Sequence, residues 1–120
     1  MAAKAKFELE CIVSGAASYA MYRSRVPFVK RLYVTYQSFS EVTDCRLVFR
    51  SEPEFLIQGF VKVAALPIKS TVEVDPGDIT LSPYFLSGVS EVQKGKVILT
   101  LLSSENKTLC ESTVETTLLP

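Results

Sequence analysis

Apolar and polar positions alternate with a period of two through most of this chain. Phe7, Leu9, Cys11 and Val13 alternate with Lys6, Glu8 and Glu10. Successive side chains of an extended backbone point to opposite faces, so this pattern predicts a strand with one wet face. From Pro27 to Gln37 the alternation puts Phe28, Leu32, Val34 and Tyr36 on one side, and Val29, Arg31, Tyr33 and Thr35 on the other. Cys45, Leu47 and Phe49 oppose Arg46, Val48 and Arg50 in a third strand. A fourth is expected through Phe55 to Ala65, with Gly59 marking a bulge or a close backbone approach. Val72 and Val74 against Glu73 and Asp75, then Val97, Leu99 and Leu101, then Thr108 to Leu118, complete the series.

The segments between these runs carry turn chemistry. Ser51-Glu52-Pro53, Asp75-Pro76-Gly77-Asp78, Lys94-Gly95-Lys96 and Ser103-Ser104-Glu105-Asn106-Lys107 all read as turns. Ser14 to Met21 is rich in small residues and reads as an irregular crossing or a short edge strand. Leu81 to Gly88 reads as one short helical turn near 82–87: Ser82 caps it, Pro83 takes the first helical position and Gly88 closes it. No longer stretch has a helical period. Seven to eight strands without a long helix predict an all-β, immunoglobulin-like antiparallel sandwich, one domain over residues 1–120. The chain has no Trp, so the antibody-type pairing of a Trp with a disulfide is missing.

Composition narrows the chemistry. The 120 residues include 48% hydrophobic residues and no His. Lacking His, the chain lacks the commonest general base and metal ligand, and the Ser-His and Cys-His nucleophiles with them. Cys11, Cys45 and Cys110 are an odd number without close spacing and read as reduced core thiols rather than a disulfide framework or a zinc site. Glu52 with Glu54, and Asp75 with Asp78, flank prolines in turns, where solvated carboxylates are expected; with Glu73 the second pair is at most a weak calcium site. The five glycines are scattered and build no phosphate cradle. The expectation is a protein without enzymatic activity, metal or cofactor. The N-terminus turns charged where a signal peptide would turn apolar, and no apolar run reaches membrane-spanning length, so a cytoplasmic location without a membrane partner is expected. Asn106-Lys107-Thr108 has the form of a glycosylation sequon and, without an export signal, reads as a turn.

Thirteen basic and thirteen acidic residues cancel overall, but residues 11–40 hold four basic side chains and no acidic one. Arg23, Arg25, Lys30 and Arg31 interleave there with Tyr19, Tyr22, Phe28, Tyr33 and Phe39. Cations for phosphates and aromatics for bases are what a single-strand binder uses, so segment 19–39 is a candidate nucleic-acid or partner contact through Arg23, Arg25, Lys30, Arg31, Tyr33 and Phe39. Ordinary solvated sheet faces also carry such residues. Tyr33, Thr35, Val48, Ile98 and Leu102 fall on faces opposite the core positions of their strands. Those faces are covered either by another domain or subunit, or by the chain's own irregular segments.

Several residue groups together carry a family resemblance. In order, they are Ser18-Tyr19-Ala20-Met21, Val26-Pro27-Phe28-Val29-Lys30-Arg31-Leu32, Ser51-Glu52-Pro53-Glu54-Phe55, Ile79 to Glu91, and a hairpin centred on Gly95. The pattern spans roughly residues 7 to 119 and resembles the N-terminal β-sandwich of large bacterial superfamily-one helicase proteins, often joined to a very-short-patch-repair-like nuclease. The resemblance implies an accessory module, the N-terminal part of a longer chain. Its partners would be the parent's other domains or another protein, its setting nucleic-acid processing or defence. It supplies no catalytic residue, and the helicase motifs are absent from these 120 residues. A stand-alone adhesion or assembly domain is the remaining alternative.

Overall fold

The computed structural model describes residues 7–37, 42–67, 69–76 and 79–120. Two β-sheets face each other across one hydrophobic core. The first sheet has three strands: β1 (Phe7–Val13), β3 (Val29–Tyr36) and β6 (Ser70–Glu73), in the order β1-β3-β6. The second has five: β2 (Ala16–Ala17), β4 (Val42–Glu52), β5 (Gly59–Leu66), β7 (Gln93–Leu102) and β8 (Thr108–Leu118), in the order β2-β8-β7-β4-β5. Two five-residue helices, α1 (Tyr19–Arg23) and α2 (Pro83–Ser87), complete the elements of the described residues. The all-β sandwich read from the alternation is the fold, and no described helix is long and apolar enough to cross a membrane.

The alternation decides which side chains meet. Leu32 and Val34 from the small sheet face Leu47, Phe49, Val97, Leu99 and Leu101 from the large one, all fully buried. Each large aliphatic or aromatic side chain so buried contributes about 1.5–3 kcal/mol. Phe28 and Phe55 meet edge to face, with ring centroids 5.7 Å apart, at the end where both helices lie. Phe7 stacks on Tyr36 at 4.9 Å.

Local departures from the alternation have identifiable causes. Val29 is buried, not outward as the simple alternation predicts. The β1–β3 register shifts between Ile12 and Val13, so Lys30 is the extra residue of a bulge and Val29 returns to the core side. Ser14 to Met21 contains the short edge strand expected of it, since Ala16 and Ala17 pair in parallel with Thr117 and Leu118. It then forms α1, which a search for long helical periods misses; Ser18 caps α1 by accepting from the Met21 amide at 3.3 Å. The expected helical turn near 82–87 is α2, with Ser82 as N-cap and Gly88 as C-cap.

Lys94-Gly95-Lys96 is not a turn. It lies inside β7, paired with Glu115, Thr116 and Thr117 of β8. A Cβ on Gly95 would meet Phe55 Cε1 at 2.8 Å and Leu118 Cγ at 3.2 Å, so glycine makes room for the Phe55 ring there. Gly59 behaves alike: the β4–β5 register runs without a shift, and a Cβ would lie 3.1 Å from Phe49 Cζ. It marks a close approach, not a bulge. Residues 55–58, expected as the start of the fourth strand, form an irregular segment joined to the core through a Leu56–Leu81 bridge. Glu52-Pro53 is a cis peptide.

Candidate interaction surfaces

Of the residues singled out in segment 19–39, Arg31 and Tyr33 come together, while Arg23 and Arg25 lie apart from them at the end of α1. Arg31 and Tyr33 stand on the outer face of the three-stranded sheet. The Arg31 Nη1 group donates to the Tyr33 hydroxyl at 2.9 Å and lies 3.6 Å from Glu73 Oε2. The hydrogen bond to Tyr33, then the charges of Tyr33 and Glu73, raise the Arg31 guanidinium above its ordinary pKa. In register, Tyr33 sits between Glu10 and Glu73. This face therefore presents carboxylates beside its one arginine, a poor match for a phosphate backbone. Lys30 is exposed at the bulge. Arg23 ends α1, and Arg25 follows it with a left-handed φ of 57°. Phe39 lies outside the described residues, as do Gly77 and Asp78 of the expected turn and calcium cluster.

The strands' outer-facing apolar residues sort into two groups. Val48, Ile98 and Leu102 lie on the outside of the five-stranded sheet, as their alternation requires. Ile98 falls between Arg50 and Thr113 in register and is only 6% exposed. Tyr33 and Thr35 lie on the opposite outer face and are half-buried.

A different surface emerges at one end of the sandwich. The segments 14–28, 53–58 and 79–92 gather where β1, β4 and β8 end and β3, β5 and β7 begin. Hydrogen bonds from the Ile57 amide to Thr80 O and from the Ser82 amide to Phe55 O, both under 3 Å, lock two of these segments together. Met21, Tyr22, Arg25, Val26 and Pro27 line a cleft of ≈ 310 Å³ against Ile79, Thr80 and Leu81. The segments at this end leave Tyr22, Val26, Ile57, Tyr84, Val92 and Leu119 exposed, Tyr84 by 93%. Their gathering escapes a sequence reading because they sit in short helices and irregular segments, where period-two alternation carries no information.

The same end holds the paired carboxylates. Glu52 lies 3.2 Å from Lys96 Nζ and 3.5 Å from Arg50 Nη1. It is a member of an ion-pair cluster at the rim of a ≈ 380 Å³ cleft that Glu54, Gln58 and Ser82 also line. Such exposed pairs contribute little stability but fix which groups face the cleft.

All three cysteines are free thiols. Burial raises all three above the ordinary thiol value, Cys11 to about 11. Cys110 donates through Sγ to the Phe7 carbonyl at 3.4 Å. A thiol that keeps its proton in the folded state and loses it near pH 9 when unfolded destabilises the fold as pH rises from about 9 to about 11. Urea melts across that range are expected to show a steeper decline for the native chain than for Cys11→Ala. Equal slopes would contradict the burial of this thiol.

Comparisons with protein-family models, with curated proteins and with solved structures found no match.

Proposed function

We propose that this chain is a non-catalytic interaction module that docks through its loop-and-helix end. The observation that carries this reading is the gathering of Tyr22, Val26, Ile57, Tyr84 and Val92, all exposed, around one end of an otherwise alternating sandwich. Large apolar side chains clustered on a surface stand ready for a partner that removes them from water. Following the sequence resemblance, the partner is the helicase core or nuclease of a bacterial nucleic-acid-processing protein, in the same chain or a separate one.

The test is co-purification with that helicase core, expressed as a separate tagged protein. Retention that is lost in the double variant Tyr84→Asp and Val92→Asp supports docking by this end; retention that is unchanged overturns it. A reading frame continuing beyond Pro120 without a Gly-Lys-Ser/Thr P-loop would remove the helicase from the reading. Direct nucleic-acid binding is the second reading, favoured only by Arg23 and Arg25 at the same end, neither with a salt bridge among the described residues. Labelled single- and double-stranded DNA at low salt is expected to bind no tighter than about 100 µM. Tighter binding that Arg23→Ala, Arg25→Ala and Arg31→Ala together abolish would reinstate the nucleic-acid reading.

A further inference from the structure

We propose that the open edge of β5 accepts an extended strand from a partner protein, one with an acidic side chain two residues from an apolar one. This surface is distinct from the loop-and-helix end and goes beyond the docking reading given for it.

The argument starts from the sheet edges. On one side the sandwich is closed: β2 pairs with the end of β8, and β1 runs beside β8, held by Cys110 Sγ to Phe7 O and by Thr116 Oγ1 to Ser14 O at 3.1 Å. On the other side, among the described residues, β5 pairs only with β4, leaving one backbone edge of an eight-residue strand without a partner strand. Gly59 to Leu66 contains no proline, its register with β4 has no shift, and it carries one charged side chain, Lys62. Natural edges are usually guarded by bulges, prolines or several charges, so a regular and largely apolar edge is a template for strand addition.

The outer-face side chains then specify what the added strand carries. Arg46 and Lys62 are directly opposite each other across β4 and β5. Like charges in that relation repel, and neither has a salt bridge among the described residues. The next pair on that face is Val48 with Phe60. Phe60 is 48% exposed, and the Arg46 guanidinium lies 5.8 Å from its ring centroid. A strand laid along β5 extends both rows by one residue. Beside Lys62 a carboxylate offsets the paired cations; beside Phe60 an apolar side chain covers the ring. The two positions share a face and are therefore two residues apart on the incoming strand, whichever way it runs. Pairing β5 with the same edge of a second copy does not fit: residues 59–66 contain no acid, so Lys62 and Arg46 of one copy would meet those of the other.

The probe is an acetylated, amidated octapeptide, Thr-Val-Thr-Ile-Thr-Glu-Thr-Val, titrated into the isotopically labelled protein while amide resonances are followed. Shifts concentrated in residues 59–66 are expected, with half-saturation below about 1 mM. The peptide with Lys in place of Glu should bind at least about tenfold more weakly. Lys62→Glu, a change at an exposed side chain, should reverse that preference, and methylating alternate peptide nitrogens should abolish binding. Tyr84→Asp should change nothing, which separates this edge from the loop-and-helix end. No shifts at 1 mM, shifts centred elsewhere, or equal affinity for the two peptides would overturn the proposal.

Discussion

Replacing Phe55 by Ala is expected to cost about 3–5 kcal/mol of stability, the range for deleting a buried phenyl ring. The residue lies in an irregular segment, yet its side chain is fully buried. Its ring packs edge-on to Phe28 and fills the space that Gly95 leaves open in β7. Its backbone is equally engaged, accepting from the Ser82 amide at 2.7 Å, and so ties the 53–58 segment to the start of α2. Loss of the ring leaves a cavity between the sheets and loosens the platform that displays Ile57 and Tyr84. Chemical denaturation followed by tyrosine fluorescence would measure the cost; a change below about 1 kcal/mol would mean that the ring is not where its burial puts it.

The second large effect comes from the other side of the same contact. Gly95→Ala places a methyl group 2.8 Å from a ring carbon of Phe55 and 3.2 Å from Leu118. Both side chains are fully buried, so neither can swing out into solvent. Overpacking of this kind typically costs about 1–3 kcal/mol. The decisive measurement is a double-mutant cycle: Phe55→Leu shortens the side chain that the new methyl meets. The pair Gly95→Ala with Phe55→Leu should be more stable than the sum of the single losses predicts, by at least about 0.5 kcal/mol. Strict additivity would show that the two residues do not share this space.

Much of the scaffold is legible in the sequence because a half-buried strand writes itself as alternation. β1, β4, β7 and β8 follow from Phe7 to Val13, from Cys45 to Arg50, from Val97 to Leu101 and from Thr108 to Leu118. The capping signature Ser82-Pro83 with Gly88 likewise locates α2. The misreadings share one physical origin. A glycine flanked by lysines has turn chemistry, and only knowledge of the Phe55 ring across the core shows that Gly95 is there to receive it. Val29 is reassigned by a bulge at Lys30, which depends on how β1 meets β3 rather than on either strand alone.

The candidate site was less legible for the same reason. Arg31 looks cationic in sequence, but Glu73, 42 residues further along the chain, stands beside it. Arg46 and Lys62 look like ordinary polar positions of two alternating strands until the register sets them opposite each other. Patches are properties of register and of long-range neighbours, and these are what a single pass along the chain does not contain.

The strap formed by β2 has a consequence for the order in which the molecule can be made. Ala16 and Ala17 find their partners in Thr117 and Leu118, the Leu119 amide donates to Ala17 O, and Thr116 reaches back to Ser14. These bonds join positions about a hundred residues apart, so closure waits on a large loop and on the synthesis of β8. Until Thr108 to Leu118 arrives, the Val97 to Leu101 edge of β7 has no cover. A nascent chain stalled before that point would expose a bare, apolar strand during synthesis, and assistance from a chaperone would matter most in that interval.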